Sequence, residues 1–255
     1  MTFGKKKWVF MGLVFVMVTL VVGYRYTSKR LELFGHYEKV WAHRVNDLAK
    51  LESAQNSFTG IELDLTYLPQ KNKLAVYHAG ISIADDLYFE EYIAHIDNKN
   101  LGLWLDLKNL DRNNVLEVFQ QIETAVNSSF YKNNKNKILV ESNKPELLNP
   151  FLKFGYRASF YLPQKLPQNT KPLQKQIQVS LQKNKGMELS GYYKNYPFLK
   201  EYFPETPKNL WILTSTYDPE AINNFGMIRG LLNDSTVKTV LIPYINFNRH
   251  FSEEQ

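Results

Sequence analysis

Two carboxylates, Glu62 and Asp64, stand two residues apart inside a short apolar run, 60–67. In an extended strand that spacing sends both side chains to one face and Ile61, Leu63 and Leu65 to the other. Asp106 and Lys108 repeat the pattern against Leu105 and Leu107 in the run 101–107. Three carboxylates brought to one place repel one another and need a proton, a cationic partner or a metal ion. An all-oxygen set with an open side suits Mg²⁺ or Ca²⁺ rather than a softer metal. His43 and His78 end two further runs, and imidazoles titrate near neutrality, which suits acid and base work. Arg44 and Lys108 supply positive charge for an anionic group such as phosphate. Taken singly, a Glu-x-Asp strand reads as a solvated or ion-paired face, and a lone histidine as a packing residue. His36, His95 and His250 have no partners in the pattern and are read that way. Glu141 reads as an ion-pair partner at the site's edge rather than a fourth ligand. Trp41, Trp104 and Trp211 read as core packing. Tyr192 and Tyr193 read as groove lining or loop packing.

These residues need a scaffold that gathers strand ends. Strand-length apolar runs occur at 40–42, 60–67, 74–78, 101–107, 137–141, 156–162, 187–190, 209–215 and 238–244. Several are nearly continuous in apolar residues, as strands covered on both faces are. Helical patterns lie between them. Residues 47–56 start on Asp47 as an N-cap. Residues 111–126 place Val115, Val118, Phe119 and Ile122 on one face. Residues 145–153 and 218–225 start at Pro145 and Asp218-Pro219. Residues 132–137 and 164–175 read as polar surface loops, and 31–39 as a short connector. The run 74–78 follows 60–67 across Pro69-Gln70-Lys71-Asn72 as a hairpin extension. Eight strands remain, mostly separated by helices. The expected fold is α/β, a (β/α)8 TIM-type barrel with a short final helix in 246–255; an open doubly wound sheet is the runner-up. In such a barrel, functional side chains gather where strands end. His43, Arg44, Asn46, Glu62, Asp64, His78, Asp106, Lys108, Glu141 and Asn143 fall there.

The chain has 255 residues, 44% hydrophobic and 22% charged, with no cysteine. That composition excludes wholesale disorder, disulfides, thiolate metal sites and cysteine nucleophiles. The formal net charge is +6, but residues 1–30 hold six basic residues and no acid. The remaining residues carry 25 basic and 25 acidic side chains. The domain itself is neutral, and no nucleic-acid footprint is expected. Residues 8–24 are uncharged and apolar, preceded by Lys5, Lys6 and Lys7 and flanked by Trp8 and Tyr24. This is long enough to span a bilayer as a helix. The leading lysines place the N-terminus in the cytoplasm and the rest outside it, periplasmic or extracellular. A cleaved signal peptide is the rival, but no A-x-A site follows the run. The expected organisation is a basic stub, transmembrane anchor and juxtamembrane segment over 1–30 and one barrel domain over 31–255.

The string 41–47 (WAHRVND), 61–65 (IELDL), 76–78 (VYH) and 105–108 (LDLK) resembles the phospholipase-C-like phosphodiesterase superfamily. His43-Arg44, Glu62/Asp64 and His78 match the order seen in glycerophosphodiester phosphodiesterases. Val45 stands where that branch has glycine, Ala79 where it has aspartate, and Asp106 where it has a glutamate ligand. Ala42–Asn46 and Asp106–Lys108 look closer to sphingomyelinase-D-like phospholipases, and Trp41–Asn46 with 105–108 closest to the menorin branch. The resemblance covers 41–108. It implies that Glu62, Asp64 and Asp106 hold Mg²⁺ or Ca²⁺, with His43 and His78 as acid and base and Lys108 and Arg44 on the phosphate. The implied activity is cleavage of a glycerophosphodiester or lysophospholipid head group by a membrane-anchored enzyme. A non-catalytic binding or adhesion module on the same barrel is the alternative. A glycosidase is a third reading, and it requires two carboxylates facing each other across a sugar.

Overall fold

A computed structural model of the protein describes residues 3–25, 30–77, 87–212 and 225–244, and within the first helix the side chains of 7–20. Eight strands run parallel: β1 (Val40–Ala42), β2 (Gly60–Leu68), β4 (Gly102–Leu107), β5 (Ile138–Ser142), β6 (Arg157–Tyr161), β7 (Glu188–Tyr192), β8 (Lys208–Trp211) and β9 (Val237–Ile242). β1 pairs with both β9 and β2, which closes the sheet into a barrel and excludes the open doubly wound alternative. β3 (Lys73–Val76) pairs antiparallel with the far half of β2, Leu65 to Leu68, as the hairpin reading expected.

The alternation along β2 sets the layers. Ile61, Leu63 and Leu65 are buried against the outer helices, while Glu62 and Asp64 face the interior of the barrel. The floor of that interior is sealed in two ways. On one side lies the Trp41 indole. It sits so close over Gly60 and Gly102 that a Cβ on either would come within 2.3 Å of the ring. On the other side Arg157 makes two 2.7 Å bonds to Glu188, and Asn209 donates to Glu188 at 2.7 Å. The fork-on-carboxylate geometry satisfies charges that would otherwise be costly to bury.

The helices are α1 (Phe3–Arg25), α2 (Leu48–Ala54), α3 (Phe89–Ala94), α4 (Val115–Asn127), α5 (Asn149–Lys153), α6 (Lys171–Lys183), α7 (Tyr196–Tyr202) and α8 (Phe225–Asn233). α2 is capped as expected: the Asp47 carboxylate accepts from Lys50 N at 2.8 Å. α4 buries Val118 and Ile122, but it starts at Val115 rather than 111. The intervening residues form a turn in which Asp111 and Asn114 bond each other's backbone N–H groups. The polar stretch 164–175 is not all loop, because α6 begins inside it at Lys171. Its polar composition hides a narrow stripe of Leu173 and Ile177, buried at helical spacing. The helix start at Asp218-Pro219 and the closing helix in 246–255 lie outside the described residues.

The connector 31–39 is not slack. It forms two 3₁₀ turns in which Arg30, Glu32 and Leu33 are buried, and Arg30 pairs with Glu32. α1 is helical over 23 residues, and its described side chains 7–20 are exposed. Among the described residues no helix is long and apolar enough to cross a membrane. The described side chains of α1 stop at residue 20, short of the span expected from the sequence.

Candidate active site

The chain leaves β1 at His43 and turns sharply. His43 N still donates to Ile242 O at 3.0 Å, extending the β1–β9 ladder by one bond. Arg44 then adopts a left-handed backbone with φ 54°, a conformation uncommon for a side chain of this kind. This aims the Arg44 N–H at Glu62, which accepts it through Oε2 at 2.7 Å. Lys50, from the first turn of α2, donates to the carbonyls of His43 (3.0 Å) and Arg44 (2.6 Å) and holds the turn from behind. Asn46 grips Asp64 twice: its Nδ2 donates to Asp64 Oδ2 at 2.6 Å, and its Oδ1 accepts from Asp64 N at 2.9 Å. The short loop after β1 thus fixes both carboxylates of β2.

Register brings in the third. Asp64 lies opposite Asp106 across β2 and β4, and Asp106 lies opposite Glu141 across β4 and β5. Oxygens of Glu62, Asp64 and Asp106 fall within 4.8 Å of one another. They converge on one point instead of facing each other across a sugar, which argues against the glycosidase reading. Lys108 Nζ pairs with Asp64 Oδ1 at 2.5 Å and also with Asp106. A cation therefore already sits among the acids. Three hard oxygen donors on adjacent strands, open toward a cavity, fit Mg²⁺ or Ca²⁺. The seated ammonium shows that the spot attracts positive charge.

The electrostatics follow from burial. Glu62 is held well above the usual carboxylate range, first by burial and then by Asp64 and Asp106. Glu141 is raised likewise, by burial and then by Asp106. Burial acts to lower Lys108, but Asp106 and Asp64 outweigh it and raise the ammonium. His43 drops to about 3, through burial first and then the Arg44 charge. It is a neutral imidazole at physiological pH, with Nε2 3.7 Å from Glu62 Oε2.

A cavity of about 210 Å³ opens over this cluster, with Trp104, Glu141, Tyr161, Gln164 and Trp211 completing its wall. The structure thus brings His43, Arg44, Glu62, Asp64, Asp106 and Lys108 together. His78 lies outside the described residues. Glu141, expected as an ion-pair partner, makes no ion pair among the described residues and faces the cavity, buried like Glu62 and Asp64. Trp104 and Trp211 are buried in the core, as expected, and also form cavity wall; Tyr192 and Tyr193 are buried and pack, Tyr192 against Trp211 at 4.8 Å between centroids. Asn46 is among the residues expected at the strand ends; the supporting role of Lys50 is not, and only the capped helix after Asp47 hints at it.

No family model matches the chain, and no curated protein matches it in sequence. Solved structures match in fold. A phosphodiesterase of Oleispira antarctica, solved in complex with the product sn-glycerol-3-phosphate, superposes with a TM-score of 0.57 at 12% identity, covering 85% of this chain and 97% of its own. A candidate glycerophosphoryl diester phosphodiesterase from Silicibacter pomeroyi DSS-3 gives 0.57 at 12% identity over 88% and 94%. A candidate glycerophosphodiester phosphodiesterase from Galdieria sulphuraria gives 0.56 at 13% over 80% and 93%. In fold, this chain is therefore similar to glycerophosphodiester phosphodiesterases.

Proposed function

We propose that the chain is a metal-dependent phosphodiesterase, anchored in a membrane by α1, that cleaves a glycerophosphodiester or lysophospholipid head group. One observation carries the reading: three carboxylates, a lysine and a neutral histidine cluster beneath one cavity at the mouth of the barrel. Glu62, Asp64 and Asp106 would hold Mg²⁺ or Ca²⁺, which when bound polarises a phosphoryl oxygen. Lys108 then leaves its carboxylate partners for the phosphate, with Arg44 beside it, and the two charges hold the oxygens in place. His43, uncharged, takes the proton of the attacking hydroxyl as the new oxygen–phosphorus bond forms. The bond to the leaving oxygen breaks on the far side, where a second acid delivers a proton. Sequence order assigns that role to His78. The attacking hydroxyl is water in hydrolysis or a neighbouring substrate hydroxyl in transfer to a cyclic phosphate.

The anchor reading rests on the sequence of α1. Residues 8–24 are apolar on all sides rather than along one stripe, as membrane-spanning helices are. The lysines before it put the barrel outside the cytoplasm.

The second reading is a binding module on the same barrel. Lys108 favours it, because its ammonium already neutralises Asp64 and Asp106. Titrating Mg²⁺ and Ca²⁺ while following Tm separates the two. Saturable stabilisation in the wild type and none in Asp64→Ala supports the metal site. Hydrolysis of a glycerophosphodiester that falls at least 100-fold in His43→Ala supports the mechanism. Full activity in that variant removes it.

A further inference from the structure

The anchor, the connector and the barrel floor together determine which way the cavity faces. Arg25 ends α1 and Arg30 is already buried in the barrel, 2% exposed. The chain between them reaches about 18 Å at full extension. From Arg30 onward the connector is locked to the rim where the strands begin. Lys39 Nζ donates to the carbonyls of Leu232 (2.8 Å) and Asp234 (2.9 Å), just where α8 gives way to β9. Thr59 Oγ1, just before β2, donates to Tyr37 O at 3.1 Å. His36 Nε2 lies 3.0 Å from Asn233 Oδ1, and Arg229 donates to Phe34 O. Two large apolar side chains of this connector, Leu31 and Phe34, are 70% and 68% exposed. They follow Arg25 by six and nine residues along the chain, and they suit the interfacial layer of a bilayer.

The cavity opens at the opposite rim, and the Trp41 indole and the Arg157–Glu188 pair seal the floor between. A compact unit the size of residues 31–255 is about 44 Å across. An 18 Å tether fixed to one pole cannot turn the other pole onto the same membrane. Resting on the anchor and phosphodiesterase readings above, we infer that the barrel sits floor-down on its own bilayer with the cavity pointing away. Its substrate then reaches the cavity from the water phase and is not a lipid of the anchoring membrane.

The absence of cysteine makes the test direct. Full-length chain carrying Ser235→Cys, on the exposed turn before β9, or Lys165→Cys, on the loop beside the cavity, is labelled with a donor dye. Each is reconstituted into vesicles of phosphatidylcholine with a minor share of phosphatidylglycerol and an acceptor-labelled lipid. The expected result is strong energy transfer from position 235 and at least several-fold weaker transfer from position 165. Equal or stronger transfer from 165 overturns the orientation. A chain that fails to float with the vesicles overturns the anchor reading, and the orientation with it. In a parallel assay with Mg²⁺ or Ca²⁺, glycerophosphoglycerol added outside should be hydrolysed, and phosphatidylglycerol of the same vesicles should not. Cleavage of that phosphatidylglycerol overturns the substrate assignment. No cleavage of either compound, with the transfer pattern intact, overturns the phosphodiesterase reading alone.

Discussion

Asn46 is the residue on which the carboxylate cluster leans, because it bonds Asp64 through both ends of its amide. Partners that orient a ligating carboxylate contribute about 10- to 100-fold to metal affinity. Asn46→Ala should therefore weaken Mg²⁺ or Ca²⁺ binding by about 10-fold or more while the fold persists, as isothermal titration and circular dichroism would report. The pH dependence of that binding has a definite sign. Burial and the neighbouring acids raise Glu62, so part of its population is protonated where an ordinary carboxylate is not. An ion must displace that proton, and binding releases it. Affinity should rise with pH above the ordinary carboxylate range, with proton release measurable in buffers of differing ionisation enthalpy. A flat profile would mean that Glu62 is ionised throughout. His43 makes stability depend on pH in the same sense, rising as the pH rises. Its folded value of about 3 lies below the ordinary 6.5, so the unfolded chain binds the extra proton between those values. The stability His43 contributes by staying neutral is full above pH 6.5 and is lost as the pH falls toward 3.

α2 is the element that serves both fold and site. Asp47 caps it, and the helix so started presents Lys50 to the carbonyls of His43 and Arg44. Removing the cap with Asp47→Ala should cost about 1 kcal/mol in urea unfolding. It should also lower phosphodiester turnover, because the left-handed turn at Arg44 loses its support. A variant that loses stability but keeps full turnover would separate the helix from the site. Elements with strong periodicity were legible in the sequence. β1 matches its expected range, and the Glu62/Asp64 face and the hairpin were found because alternation in a strand leaves a two-residue signature. α6 was missed because only Leu173 and Ile177 mark its buried side among polar residues. α4 starts late because an Asp111–Asn114 turn competes for the backbone groups a helix would have used.

At the scale of the whole molecule, the sequence revealed the eightfold rhythm and the six residues that cluster beneath the cavity. It did not reveal the cavity wall. Trp104 and Trp211 look like core in a linear reading, and only closure of the barrel, by pairing β1 with both β2 and β9, turns them toward a shared opening. Glu141 belongs to the same wall: its neighbour across the strand is another acid, Asp106, and Lys108, whose charge acts on it, is paired with Asp64 and Asp106. Closure also depends on contacts that no local pattern announces. A methyl group at position 60 meets the Trp41 ring well inside van der Waals distance, and overpacking of this kind costs about 3 kcal/mol or more. Gly60→Ala should lower the urea midpoint accordingly. Trp41→Leu alone should also destabilise, by opening a cavity. Combined, the two should cost less than their sum, by a coupling on the order of 1 kcal/mol or more. Positions 41, 60 and 102 then behave as one inherited unit: across descendants of this barrel, a large ring at the first and bare backbone at the other two should be kept or lost together.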